Sequence, residues 1–244
     1  MRLDKAVALT GLTRSEARKA IAAGRVQVDG QVARDAGMAV DPARVRLDGA
    51  EPVPAGDVYI MVHKPAGVLT ATEDRRLPTV LDLLPEALRR RGPGPVGRLD
   101  RDVTGLVLLT TDGQLAHRLI SPRWKAEKVY RARCQGRLTE REVAAFARGL
   151  ALSDFTAKPA GLAILEAGEE ESLADVTLTE GKFHQVKRMF AAVGHPLVAL
   201  ERRCIGALAL DPALSPGEWR ELREEEVRAL KELCGMASSI PPFK

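Results

Sequence analysis

Apolar stretches in this chain are short, and glycine, proline or charged residues cut them off. Val58-Tyr59-Ile60-Met61-Val62 ends before Lys64-Pro65-Ala66-Gly67, and Leu106-Val107-Leu108-Leu109-Thr110 is entered from the loop Gly97-Arg98-Leu99-Asp100. Runs of this kind predict short buried strands, and none approaches the ~18 apolar residues needed to cross a bilayer. Helical patterns lie between them. Thr139 with Glu142 is a capping box for a helix carrying Val143, Phe146, Ala147 and Leu150, and a later helix is predicted from after Gly181 to Val193, stopped by Gly194 and Pro196. Two more strands are expected, at 128–134 and 175–179. The first sets Lys128, Tyr130, Ala132 and Cys134 on one face and Val129, Arg131 and Arg133 on the other.

The chain divides by composition. Residues 49–57 are rich in proline and glycine without apolar periodicity, which predicts a linker between a domain at 1–48 and a larger one at 58–234, with 235–244 a frayed tail. At 244 residues, 45% hydrophobic and 29% charged, there is material for a sizeable core. Met1-Arg2-Leu3-Asp4-Lys5 carries an acid and no apolar leader, so a cytoplasmic protein is expected; a monomer is expected as well, and Cys134, Cys204 and Cys234 lack the spacing of a disulfide or zinc framework. The net charge of +4 is compatible with a polyanionic partner.

Basic charge gathers at the N-terminus, where Arg2, Lys5, Arg14, Arg18, Lys19 and Arg25 face only Asp4 and Glu16. Thr13 and Glu16 form a capping box and Gly24 closes the segment, predicting a helix over 14–23. Arg14 and Arg18 then share a face. Valines alternating around Asp29-Gly30 predict a hairpin. This order of elements resembles the S4 RNA-binding module. The resemblance implies that the six basic residues are candidate phosphate contacts, which position RNA without reading bases.

Two apparent motifs carry nothing. Gly92, Gly94 and Gly97 satisfy a dinucleotide fingerprint, but Pro93 and Pro95 interrupt it and no strand precedes it. Asp100-x-Asp102-x-Thr104-Gly105 opens like a calcium loop yet ends on Thr111 where a glutamate belongs. His63, His117, His184 and His195 spell no metal triad, and structural or surface roles are expected for them.

Asp100, between Arg98 and Arg101 on a glycine-rich loop, is the carboxylate in an unusual place. Gly97-Arg98-Leu99-Asp100-x-x-x-Thr104-Gly105-Leu106 resembles the nucleophile motif of the RNA pseudouridine synthases. Lys64-Pro65-x-Gly67, Lys128-Val129-Tyr130 and Gly181-Lys182-Phe183-His184-Gln185-Val186-Lys187-Arg188-Met189-Phe190 resemble that family's other motifs, in its order. Two positions depart from the pattern: His63 stands where Asn is common, and Glu201 where His is expected. The closest likeness is to the RsuA-type synthases, which act on 16S ribosomal RNA of the small subunit.

The resemblance implies an α+β fold, in which the small S4 domain precedes a catalytic domain on a mixed, mainly antiparallel sheet. It implies rRNA as partner, no cofactor, and Asp100, Tyr130 and Lys187 as catalytic residues, with Lys64, Arg98, Thr104, Lys128, Gln185 and Arg188 as candidate substrate contacts. Converting uridine to pseudouridine breaks the C1′–N1 bond, turns the uracil and joins C1′ to C5, without net oxidation or hydrolysis. That chemistry asks for an ionised carboxylate, either to attack the nucleotide or to remove a sugar proton. Burial alone would neutralise Asp100, whereas a cation within ~4–6 Å keeps it charged, and Lys187 is the candidate. Tyr130 would give the detached uracil a flat apolar face. Three other readings stay open at this point: a 23S rRNA synthase of the same architecture, a catalytically silent RNA-binding or ribosome-assembly protein, and a hydrolase that releases free uracil.

Overall fold

The computed structural model describes residues 1–10, 12–50 and 56–236. Much of the expected linker, at 51–55, and residues 237–244 of the expected tail lie outside the described residues. By packing, the chain forms two units, Met1–Val58 with Leu84–Gly94, and Tyr59–Leu83 with Pro95 onward. The first unit therefore gains a later segment that a boundary drawn along the sequence does not reveal.

In the first unit, α1 (Leu3–Ala8) and α2 (Arg14–Ala22) lie beside a sheet of β1 (Val26–Val28), β2 (Gln31–Val32) and β3 (Val45–Leu47), ordered β2-β1-β3 and antiparallel. Leu3, Ala6 and Val7 from α1 and Ala17, Ala20 and Ile21 from α2 recur at helical spacing, and they bury against Val26 and Val45. The capping box forms as expected, Glu16 N donating to Thr13 Oγ1 at 3.2 Å and Thr13 N to Glu16 Oε2 at 2.7 Å. Asp29 and Gly30 adopt φ of 53° and 80°, the doubly left-handed pair that a two-residue hairpin requires. A short α3 (Glu86–Arg90) completes the unit.

The second unit is built on β4 (Tyr59–Lys64), β5 (Thr104–Thr110), β6 (Lys128–Gln135), β7 (Gly161–Ala167), β8 (Glu171–Leu178), β9 (Leu197–Ile205) and β10 (Trp219–Glu221), in the order β7-β8-β6-β9-β5-β4-β10. Neighbours run antiparallel except β9 and β5, which are parallel, so the sheet is mixed and the fold α+β. Around it lie α4 (Gly113–Ile120), α5 (Glu140–Arg148), α6 (Gln185–Ala192) and α7 (Glu224–Leu233). Leu106 and Leu108 of β5 pack with Met61, Leu115, Leu119, Ile205 and Leu230. Val107 and Leu109 are buried as well, as expected of a strand covered on both faces. Among the described residues, no helix is long and apolar enough to cross a membrane.

Several boundaries depart from expectation, and the strand expected at 175–179 already begins at Glu171. Strand β4 runs on through His63 and Lys64, and Pro65, which has no N–H to give the ladder, ends it. Helix α5 stops at Arg148 because Gly149 takes φ 82°, which puts Leu150 on a two-residue strand paired with Thr156–Ala157. Helix α6 starts at Gln185, four residues after Gly181. Residues 182–185 form a turn instead, in which Gln185 Oε1 accepts from Lys182 N at 2.9 Å, Gln185 Nε2 donates to Glu180 Oε1 at 2.7 Å, and His184 is left-handed with φ 50°.

Candidate active site

Asp100 is held on a loop fastened on both sides of it. Leu99 is buried; its N–H donates to Thr70 Oγ1 at 3.2 Å, and the Thr70 hydroxyl returns a bond to Leu99 O at 2.9 Å. Past the aspartate, Arg101 O accepts from Gly67 N at 2.8 Å and from Lys64 Nζ at 3.1 Å. Val103 is buried and closes the turn with a bond to Asp100 O at 3.2 Å. Thus the Lys64-Pro65-x-Gly67 string supports the loop from beneath.

Lys64, a candidate substrate contact by its motif, is instead fully buried, its ammonium shared among the carbonyls of Pro65, Val68 and Arg101. Burial pushes this lysine down to about 8, against the pull of Asp102 and Asp100.

The side chain of Asp100 faces two groups from the turn and helix 181–192. Lys187 Nζ lies 3.0 Å from Asp100 Oδ2, and His184 Nε2 lies 3.4 Å from Asp100 Oδ1. Lys187 also binds both oxygens of Asp102, at 2.7 and 2.9 Å, so one ammonium bridges two carboxylates. Burial works to lower the Lys187 pKa, but the bonds to Asp102 and Asp100 outweigh it and leave it raised; the Lys187 bond in turn holds the Asp102 carboxyl below the usual range. His184, expected to be structural or at the surface, is part-exposed and stands beside Asp100. Its signal is present in the sequence as the i, i+3 spacing to Lys187, but that spacing becomes meaningful only once the left-handed turn is known.

A cleft of about 970 Å³ opens over this group, with Asp100, Asp102, Arg98, Leu99 and His184 in its wall. At its rim the Phe183 ring is 76% exposed and stacks on His184 with centroids 3.7 Å apart. A smaller recess joins Asp100 to Tyr130, Lys187, Gln185 and Arg98. Tyr130 reaches it from β6, on the same face as buried Ala132 and Cys134, while Arg131 on the opposite face pairs with Asp175 across the ladder at 2.9 Å.

The remaining expected contacts divide. Arg98 and Lys128 line the cleft or its extension beside Tyr130. Gln185 borders the recess, but its amide is used in the turn. Thr104 lies at the start of β5, its hydroxyl 3.5 Å from Leu200 O. Arg188 points elsewhere, to Asp154, to Ser153 Oγ at 2.9 Å and over the Phe155 ring. Successive helical residues lie about 100° apart, so Lys187 and Arg188 leave the helix in different directions. The two departures from the family pattern meet: His63 Nε2 lies 3.2 Å from Glu201 Oε1, and its Nδ1 lies 2.8 Å from Leu214 O.

In the first unit, all six basic candidates are exposed. Arg18 grips buried Asp4 through two bonds of 3.1 and 3.0 Å, and Arg2 meets the same carboxylate at 3.2 Å. The Arg2 guanidinium, against the cost of burial, holds the Asp4 carboxyl below its usual range, with Arg18 adding to the effect. Arg25 pairs with Asp48. These arginines are thereby fixed in direction while remaining open to solvent.

Residues 58–192 match the RNA pseudouridylate synthase family and residues 1–50 the S4 domain. An uncharacterized RNA pseudouridine synthase of Bacillus subtilis is 44% identical, over 95% of this chain and 99% of its own length. The ribosomal small subunit pseudouridine synthase A of Escherichia coli is 41% identical, over 94% of this chain and 100% of its own. A crystal structure of a pseudouridylate synthase, 36% identical, superposes with a TM-score of 0.67 over 94% of this chain and 99% of that one.

Proposed function

This chain belongs to the RNA pseudouridine synthases, with an S4 domain at its N-terminal end, and on that premise we propose that it isomerises one uridine of 16S ribosomal RNA through the carboxylate of Asp100. The observation that carries the reading is the Asp100–Lys187 pair at 3.0 Å, which lines a recess shared with Tyr130, with Asp100 also on the wall of a cleft of about 970 Å³. A nucleotide everted from structured RNA fits a cleft of that kind, and eversion costs a few kcal/mol that backbone contacts must offset.

Asp100 supplies the reacting oxygen, as nucleophile or as base toward the sugar. Lys187 neutralises and orients it, with Asp102 fixing the ammonium from the other side. Tyr130 holds the uracil face while it turns between the rupture of C1′–N1 and the formation of C1′–C5. Lys64 acts as a positioning residue through the carbonyl of Arg101, and the exposed arginines and lysines of the first unit hold phosphates. The choice of 16S rests on the Escherichia coli relative, named for the small subunit.

The test is to treat 16S and 23S transcripts with purified protein and map carbodiimide adducts. One modified uridine in 16S is expected. Modification confined to 23S overturns the substrate assignment, and free uracil in place of pseudouridine overturns the reaction.

A further inference from the structure

Beside Tyr130, away from Asp100, the cleft continues into a recess of about 90 Å³ whose wall includes Arg98, Lys128 and Arg202. That space is well above the ~10–15 Å³ that admits one water. Arg202 is 2% exposed, and it sits where β9 runs closest to β5. Its Nε donates to Leu106 O at 2.8 Å, and its Nη2 is buried with no hydrogen-bond partner among the described residues. Lys128 Nζ donates to Ala126 O at 3.0 Å, and burial, then the charge of Arg202, press its ammonium below the ordinary lysine value. Among the described residues no carboxylate lies at ion-pair distance from Arg98, Lys128 or Arg202.

Two other arginines near the site are matched, Arg131 by Asp175 and Arg188 by Asp154. Two neighbouring cations withdrawn from water without a counter-charge are costly to the fold, and an anion with several acceptor oxygens would relieve both.

We propose that the recess of Arg98, Lys128 and Arg202 beside Tyr130 is a phosphate subsite, taking a phosphodiester of the RNA strand next to the uridine under isomerisation. The inference rests on the pseudouridine synthase reading and adds to it the anchor of the everted nucleotide. Tyr130 and Arg98 border both this recess and the one that holds Asp100, so a nucleotide with its phosphate here presents its sugar and base toward the carboxylate. Guanidinium and ammonium donors form charge-assisted bonds to phosphate oxygens, and Arg98 and Lys128 border the recess beside the unmatched charge of Arg202.

The experiment measures, with the full chain and without turnover, the binding of uridine, 5′-uridine monophosphate and 3′-uridine monophosphate by ligand-observed NMR. One of the monophosphates should bind at least about tenfold more tightly than uridine, as charge-assisted bonds of this kind allow. That advantage should vanish in Lys128→Gln and shrink in Arg98→Gln, and inorganic phosphate should compete with the monophosphate. Arg202→Gln would put the fold itself at risk, which is why the more exposed Arg98 carries the second variant. Equal binding of nucleoside and nucleotides, an advantage that survives in both variants, or no measurable binding overturns the subsite. Inorganic phosphate binding with no gain for either monophosphate overturns the RNA strand as its source. Failure here in a protein that still forms pseudouridine removes the subsite alone. A nucleotide preference in a protein that modifies no rRNA removes the function reading alone.

Discussion

At the scale of single residues, the site depends on cations whose surroundings differ. Lys187 is shared by Asp100 and Asp102, so Lys187→Met leaves two carboxylates facing each other without the ammonium between them. Single-turnover isomerisation should fall by about 100-fold or more, the cost of removing one preorganised electrostatic partner, with RNA affinity nearly unchanged and Lys187→Arg recovering part of the rate. Lys64 behaves oppositely. Its native value of about 8 lies below the ordinary 10.5, so between those values the unfolded chain binds a proton that the native chain does not, and stability rises with pH through that window. Below about 8 both states are protonated and the burial cost is constant. The Lys187 pairing, with its raised value, persists across the same window and is lost only as pH climbs through that higher value. Urea midpoints at pH 8 and 10 should therefore move in favour of the wild type relative to Lys64→Met, and a pH-independent difference would count against a buried, depressed lysine. The motifs single out Asp100, Tyr130 and Lys187, and the fold brings these three to one recess. The burial of Lys64 is not, because a lysine after an apolar strand reads as a surface stop unless the carbonyls that receive it are known.

At the scale of elements, the close approach of β5 and β9 sets the loop that carries Asp100. Gly105 has φ 104°, and a Cβ there would lie 2.3 Å from Arg202 O and 2.6 Å from Arg202 N, both backbone atoms that cannot yield cheaply. Gly105→Ala should cost about 3 kcal/mol or more in chemical denaturation, as a clash and a strained φ combined, and should disturb the Arg202 side chain along with the loop. Strands and capped helices are readable from alternation and capping boxes, since those signals act over a few residues. The turn at 182–185 is not, because it depends on Gln185 bonding back to Lys182 and Glu180, and a helix signature such as Val186-Lys187-Arg188-Met189-Phe190 masks the irregular turn before it. Arg202 is hidden for a related reason. Arg202-Arg203 reads as an exposed basic pair, and only the strand's burial separates one guanidinium from the other.

At the scale of the molecule, the chain joins an S4 domain to a pseudouridine synthase domain. Phosphates held by basic side chains release counterions, so removing residues 1–50 should weaken RNA binding and flatten its salt dependence by about 0.7–0.9 for each phosphate no longer held, while slowing the bound reaction less. A truncated chain that binds as tightly as the whole would place the RNA grip elsewhere. The central claim, that the carboxylate at position 100 performs the isomerisation, is tested most directly by Asp100→Asn, with pseudouridine in the 16S transcript and RNA affinity measured on the same preparation. The amide keeps the shape and the loop but abolishes the charge that faces Lys187. The account predicts no pseudouridine at undiminished RNA binding; pseudouridine formed at the wild-type rate would contradict it.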